Sequence, residues 1–198
     1  MVHEYFEILR RLVAGLRDIT DKAQLRRQIA LCIFQSVTAV ETFLNVYFRV
    51  AVSEKEFKHH EQYFLKTITN RNSLEYKLKN WPKTIFNRKL SMDSGIGKSF
   101  LDLKNLRNSL MHFVSSHDTI QLGSMTIHGL TNIDLYENLK VDDAYTALEV
   151  AESFLCEVFR LRGIDETQIH FMLRLWSGKG PALKLTEITS RDDNRTPD

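Results

Sequence analysis

Arginine, asparagine and histidine side chains lie close together in the segment from Leu103 to Phe113. Arg107, Asn108 and His112 stand there among apolar residues that recur at helical spacing. A guanidinium is permanently charged and presents a planar fork to phosphate oxygens, whereas an imidazole titrates near neutral pH and can take or give a proton. Together, these side chains can act on a phosphodiester.

The spacing of the three residues limits how a single helix can arrange them. Asn108 and His112 are four positions apart and share a face, whereas Arg107 and His112 are five apart, roughly 140° around an ideal helix. A bent arginine side chain, or a second copy of the helix across a two-fold axis, would complete the arrangement. The structural alternative is that Arg107 and Asn108 face solvent while His112 ends the helix, where a cation favours the helix dipole.

A carboxylate in an earlier predicted helix is a further candidate. Glu41 shares the apolar face of that helix, and burial of a carboxylate is costly unless the group is paired. Arg107 or His112 could supply the partner, which would place Glu41 beside these residues, with Asn45 one turn later as its neighbour. The alternative is a structural ion pair without a role in chemistry.

Basic residues outnumber acidic ones between Lys66 and Arg107, where the chain has ten lysines and arginines, including Lys98 and Lys104, against three acidic residues. Tyr76, Trp81 and Phe86 are interleaved with these charges. One interpretation is a basic platform that attracts a phosphate backbone and stacks unpaired bases. The other is a solvated charged face over aromatic residues that belong to the core.

Glycine and cysteine patterns elsewhere do not predict a metal or cofactor site. The run Gly95-Ile96-Gly97-Lys98-Ser99 is similar to the end of a phosphate-binding loop, but Met92 stands where the first glycine is required, and no buried strand precedes it. A loop that starts the following helix is the simpler interpretation. Cys32 and Cys156 lie in apolar helical stretches and have neither the number nor the spacing of a disulfide framework or a zinc site.

Apolar periodicity predicts an all-α fold, an up-and-down helical bundle with a small β-hairpin insertion near residues 119–128. The length of 198 residues and the 43% hydrophobic content fit one domain, predicted over residues 1–176 and followed by a polar tail at 177–198. The predicted helices cover an opening stretch through Phe6 and Leu16, then about 21–52, 57–68 and 74–81 with a break at Pro82, the segment after 94–97, 142–162 and 166–176.

The segment around Arg107 and its setting resemble the HEPN superfamily, whose hallmark is an arginine, usually followed by a polar residue, and then a histidine after four to six intervening residues. Arg107-Asn108-Ser109-Leu110-Met111-His112 fits the shortest form. The apolar stretch Phe100-Leu101-Asp102-Leu103 precedes it, and Thr38 to Asn45 is similar to the early bundle helix of many members. The resemblance covers about residues 25–162.

The resemblance implies a metal-independent endoribonuclease without a cofactor, acting in toxin systems, phage defence or RNA processing, with a site shared across a homodimer. His112 would be the acid–base group, Arg107 would hold the scissile phosphate, Asn108 would orient one of them, and Glu41 would be the acidic residue of the early helix. Expected partners are RNA, a second copy of the chain and an antitoxin protein. The alternative is a non-catalytic helical module that binds a nucleotide, RNA or a protein.

The expected location is the cytoplasm, without a membrane. The opening run MVHEYFEILRRLV mixes charges into its apolar residues and does not have the features of a secretory signal, and no run is judged long and apolar enough to span a bilayer. The formal net charge of +2 is too small to identify a partner.

Overall fold

The structure, a computed structural model, describes residues 1–111, 119–128 and 133–178, and this part of the chain is mainly α-helical, as predicted. Its helices are α1 (Val2–Ala14), α2 (Lys22–Ser53), α3 (Glu61–Thr69), α4 (Leu74–Ile85), α5 (Gly95–Met111), α6 (Ile133–Glu137), α7 (Val141–Arg162) and α8 (Glu166–Ser177). Short 3-10 turns cover Gly15–Asp18 and Lys58–His60.

Helix α2 forms the centre of the core and packs against α1, α5 and α7. Its N-cap is Asp21, whose carboxylate accepts a hydrogen bond from the Gln24 backbone N–H at 2.6 Å. Its buried aromatic residues contact those of neighbouring helices; Phe43, for example, meets Phe159 edge to face with ring centroids 5.7 Å apart. The predicted limits of α2 and α7 agree with the structure to within one residue.

By length and composition alone, helix α2 could cross a membrane. The sequence-based expectation that no run of the chain is long and apolar enough to do so is therefore wrong. Within the structure, 56% of the most apolar window of α2 is buried against other parts of the chain. A core helix of a soluble bundle and a membrane-spanning helix both meet this criterion.

Helix α4 does not break at Pro82, and this too corrects the sequence analysis. The helix continues to Ile85, and the Pro82 carbonyl accepts a hydrogen bond from the Phe86 N–H at 3.0 Å. Trp81, Pro82 and Ile85 are all buried. Their packing in the core supports the last turn, although proline removes one hydrogen bond from it.

Two short strands, β1 (Thr119–Leu122) and β2 (Met125–His128), pair antiparallel, with Thr119 opposite His128 and Leu122 opposite Met125. Gly123 in the turn has a φ of +62°, a value that glycine adopts without a steric penalty. At the other end of the chain, α8 ends at Ser177. The predicted tail lies outside the described residues from position 179 onwards.

Candidate functional site

Helix α5 carries the arginine and asparagine, and glycine allows its first turn to fit. An added Cβ at Gly97 would lie 2.0 Å from the backbone oxygen of Ser91, so only glycine permits this close approach. Farther along, Phe100 and Leu103 are buried, and the Phe100 ring lies 4.5 Å from that of Phe154 in α7. Gly97 therefore helps to position α5. The glycine run was interpreted as a loop that starts the helix, whereas the structure includes it in the first turns of α5.

Arg107 lies near the end of α5 and is half-buried, as is Asn108. Arg107 Nη1 donates a hydrogen bond to Met111 Sδ at 3.6 Å, a weak acceptor. Within the described residues, the guanidinium has no carboxylate within ion-pair distance, and its buried Nε has no hydrogen-bond partner. The positive charge of Arg107 is therefore not neutralised by a carboxylate of this part of the chain.

The predicted acid–base residue, His112, lies outside the described residues, one position after the end of α5 at Met111. The structure brings Arg107 and Asn108 together on the last turns of this helix. The placement of the imidazole relative to these two side chains stays a prediction.

The two lysines expected to bind RNA both have ion-pair partners. Lys98 Nζ lies 2.8 Å from Asp102 one turn along α5, and Lys104 Nζ lies 3.4 Å from Glu75 in α4. The pKa of Glu75 is lowered by its hydrogen bond and charge interaction with Lys79, and further by Lys104. The Lys98–Asp102 pair is exposed on both sides and therefore weak, so Lys98 can exchange its carboxylate for a phosphate. The Lys104 side chain is only 15% exposed, so its pair with Glu75 is less open to such an exchange.

The aromatic residues of the basic segment do not form a platform for stacking bases. Trp81 is fully buried and donates from Nε1 to Thr67 Oγ1 at 3.1 Å, and Phe86 is buried against other core aromatics. Tyr76 is half-buried. For Trp81 and Phe86, the interpretation as core residues beneath a solvated face is the correct one.

Glu41 pairs with a lysine and not with the expected Arg107, while His112, the other expected partner, lies outside the described residues. Glu41 Oε1 lies 2.8 Å from Lys77 Nζ, so the carboxylate pairs with α4. The Glu41 side chain is 35% exposed and that of Lys77 is 10% exposed. The Lys77 ammonium also lies 5.6 Å from the centre of the Trp81 ring, a cation–π contact. The pair connects the middle of α2 to α4.

A polar cavity of about 360 Å³, hereafter the polar pocket, opens beside this ion pair. Its lining comes from α2, α3, α4 and the α3–α4 connection and consists of Glu41, Asn45, Arg49, Ile68, Arg71, Asn72 and Lys77. Sequence reasoning singled out Glu41 and Asn45 but missed the two arginines as site residues. The i, i+4 spacing from Glu41 to Asn45 to Arg49 on one helix face was the available signal.

The described part of the chain thus carries two candidate sites. One is the end of α5 with Arg107 and Asn108, and the other is the polar pocket. Comparisons of the chain with protein-family profiles, with curated proteins and with solved structures find no match.

Proposed function

We propose that the chain is a metal-independent endoribonuclease of the HEPN type, with Arg107 and His112 as its central residues. The observation that carries the proposal is the guanidinium of Arg107 at the end of α5, which has no carboxylate partner in the described part of the chain. An arginine without a carboxylate partner among the described residues, five positions before a histidine, suits the two tasks of phosphodiester cleavage, which are binding charge and moving a proton.

The proposed reaction uses the 2′-hydroxyl of the RNA as the nucleophile. The His112 imidazole takes the hydroxyl proton, and the oxygen attacks phosphorus. The bond from phosphorus to the 5′ oxygen breaks, and that oxygen leaves with a proton from a general acid. Arg107 stabilises the negative charge that develops on the phosphoryl oxygens, while the Asn108 amide orients the phosphate or the imidazole. The products are a 2′,3′-cyclic phosphate and a 5′-hydroxyl.

A homodimer is part of the proposal because five positions separate Arg107 from His112. Exposed apolar side chains at this end of the bundle support it. Met111 is 51% exposed and Leu31 is 48% exposed, and Leu31 lines a groove together with Phe34 and Leu110. Apolar surface of this kind is typical of contact surfaces between proteins. A second copy seated there would bring its own α5 close to Arg107.

Other candidate residues have secondary roles in the proposal. Lys98 and Lys104 are on the same helix as Arg107 and would attract the RNA backbone. Asn45 and Glu41 line the polar pocket, and the Glu41 carboxylate is engaged by Lys77, so we leave Glu41 out of the groups that touch the scissile bond. An RNA substrate and an antitoxin partner are consistent with the expected cytoplasmic location.

The test is cleavage of a 5′-labelled RNA in the presence of EDTA by the intact protein and by the Arg107→Ala, Arg107→Lys and His112→Ala variants. We expect about a 10²-fold or greater loss for both alanine variants, and a smaller loss for Arg107→Lys, which keeps the charge but not the fork. Lys55→Gln removes one exposed positive charge outside the basic segment and serves as the control. Equal activity in all variants, or none in the intact protein, would contradict the proposal.

Mixing the two inactive variants tests whether the site is shared. In a symmetric dimer with Arg107 from one subunit and His112 from the other, an Arg107→Ala/His112→Ala heterodimer retains one intact site. Random exchange should therefore restore about a quarter of the parental rate. No recovery would mean that each site lies within one subunit. Binding of RNA without cleavage by the intact protein would favour the non-catalytic module.

A further inference from the structure

The charge balance of the polar pocket points to an anionic ligand. Lys77 and Glu41 neutralise each other across 2.8 Å. Arg49 and Arg71 are exposed, and within the described part of the chain neither has an ion-pair partner. The lining therefore has two uncompensated positive charges, both carried by guanidinium groups, whose planar fork matches phosphate oxygens.

The backbone at Arg71 supplies a second, independent observation. Arg71 follows α3 with a φ of +50°, in the left-handed region where glycine is favoured. Its N–H donates to the Ile68 carbonyl at 2.9 Å, and the Asn72 N–H donates to the Thr67 carbonyl at 3.3 Å, which is the Schellman pattern that usually ends on glycine. An arginine in this position costs free energy that glycine would avoid, and its side chain lines the pocket.

We propose that the polar pocket binds the phosphate monoester group of a small ligand, held between Arg49 and Arg71. A phosphate monoester carries about −1.5 to −2 charges at pH 7, which matches two unpaired guanidinium groups better than the single charge of an internal phosphodiester does. The amides of Asn45 and Asn72 provide hydrogen-bond donors and acceptors, and Ile68 provides an apolar surface for the rest of the molecule.

The size of the pocket narrows the class of ligand. A volume of about 360 Å³ is near the lower end of the range for small-molecule sites and suits a molecule the size of a nucleoside monophosphate. The same terminal group also occurs at the 5′ end of an RNA. The polar pocket would bind either molecule through its phosphate monoester group, and this binding does not depend on cleavage at Arg107.

The test measures binding of inorganic phosphate, adenosine monophosphate and adenosine by calorimetry to the full chain. We expect the monophosphate to bind, adenosine to bind at least tenfold more weakly, and inorganic phosphate to compete. A 5′-phosphorylated octanucleotide and its 5′-hydroxyl counterpart form a second arm. If only the phosphorylated octanucleotide competes with adenosine monophosphate, the natural ligand is the 5′ end of an RNA. If neither octanucleotide competes, the natural ligand is a small phosphorylated metabolite.

Two variants connect binding to the arginines. Arg49→Gln and Arg71→Gly should each weaken binding of the monophosphate by about tenfold or more, whereas Lys83→Gln, with the same loss of charge outside the pocket, should not. Arg71→Gly introduces the residue that a φ of +50° favours. The denaturant midpoint of this variant should therefore equal or exceed that of the parent. Asn87→Gly is the control for this gain, because Asn87 has a φ of +54° and is not among the residues that line the pocket.

Three results would overturn the proposal: no binding of phosphate or monophosphate by the intact chain, equal binding of adenosine and its monophosphate, or unchanged binding in Arg49→Gln and Arg71→Gly. The outcome is independent of the ribonuclease proposal. The Arg107→Ala variant should still bind the monophosphate, even if it no longer cleaves RNA.

Discussion

Lys77 Nζ lies 2.8 Å from Glu41 Oε1, and this contact joins α4 to α2 at the edge of the polar pocket. The two residues are 36 positions apart, and the less exposed partner is the lysine. Glu41 therefore compensates a largely buried ammonium, which gives its carboxylate a structural role independent of the residues on α5.

The first prediction concerns this pair. Glu41→Gln should lower the free energy of unfolding by about 1–2 kcal/mol, because it leaves the Lys77 ammonium without its counter-charge, with the partial exposure of Glu41 limiting the loss. Lys77→Met should cost less, because an apolar side chain replaces the charge beside Trp81. Urea denaturation measures which of the two variants is less stable. The rate of RNA cleavage by Glu41→Gln at saturating substrate should stay within about threefold of the parent's. A Glu41→Gln variant that folds as stably as the parent but does not cleave would contradict this.

The more deeply buried ion pair of Arg10 and Glu152 should matter more for stability. Arg10 donates from Nε and Nη2 to Glu152 Oε1 at 2.8 and 2.5 Å, and Arg10 Nη1 donates to the Ser177 carbonyl at 2.7 Å, so α1, α7 and α8 are joined. The Glu152 side chain is only 3% exposed. Glu152→Ala should cost about 3–5 kcal/mol, which is roughly 6–20 °C in Tm for a chain of this size.

The matched control for that variant is Glu166→Gln, which breaks the exposed ion pair between Glu166 and Arg160. Its effect on Tm should be much smaller, because exposed pairs are solvated and screened. Thermal unfolding followed by circular dichroism measures both. Equal shifts in the two variants would show that the pair of Arg10 and Glu152 has no special weight.

A third prediction tests the close approach at the start of α5. Gly97→Ala should lower the free energy of unfolding by about 1–3 kcal/mol, because its Cβ would overlap the Ser91 backbone oxygen and force the helix away. Gly15→Ala is the control: Gly15 has a φ of −70° and nothing within 4 Å of an added Cβ. Gly15→Ala should raise the free energy of unfolding by about 0.4–1 kcal/mol, because alanine makes the unfolded chain less flexible than glycine does. A stable Gly97→Ala variant would remove the packing explanation for the glycine.

The fourth prediction is a dependence on alkaline pH. Burial raises the pKa of the Cys32 thiol from 9.0 to about 12, so the folded state favours the protonated form. The stabilisation is complete below pH 9 and is lost as the pH rises towards 12, because the unfolded chain releases the proton first. The denaturant midpoint should fall between pH 8 and pH 10.5, and this fall should be larger in the parent than in Cys32→Ala. An identical pH slope in both proteins would contradict the assignment to Cys32.

Reactivity towards a thiol reagent provides an independent check on the same burial. The pKa of Cys156 is also raised, chiefly by burial, but this side chain is only half-buried, whereas Cys32 is buried. At pH 8, Cys156 should therefore react before Cys32 in the native protein. Faster labelling of Cys32 would show that the interior of α2 is accessible.

The sequence determined the helices because the signals that specify them are local. Apolar residues at helical spacing predicted α2 to within one residue of its limits. The residue types at the end of α5 were likewise legible, since a charged fork and an amide on adjacent positions need no tertiary information. Pro82 shows the limit of local rules, because its helix continues where Trp81 and Ile85 pack in the core.

Only the tertiary structure decided which side chains meet. Arg107 or His112 was expected to pair with Glu41, yet among the described residues helix packing brings Lys77 to it and not Arg107. The same packing gathers Arg49 and Arg71 around one cavity. Periodicity indicates which face of a helix is buried, but not which residue of another helix stands opposite. That choice depends on the crossing angles and the relative shift of the helices, which the whole core sets together.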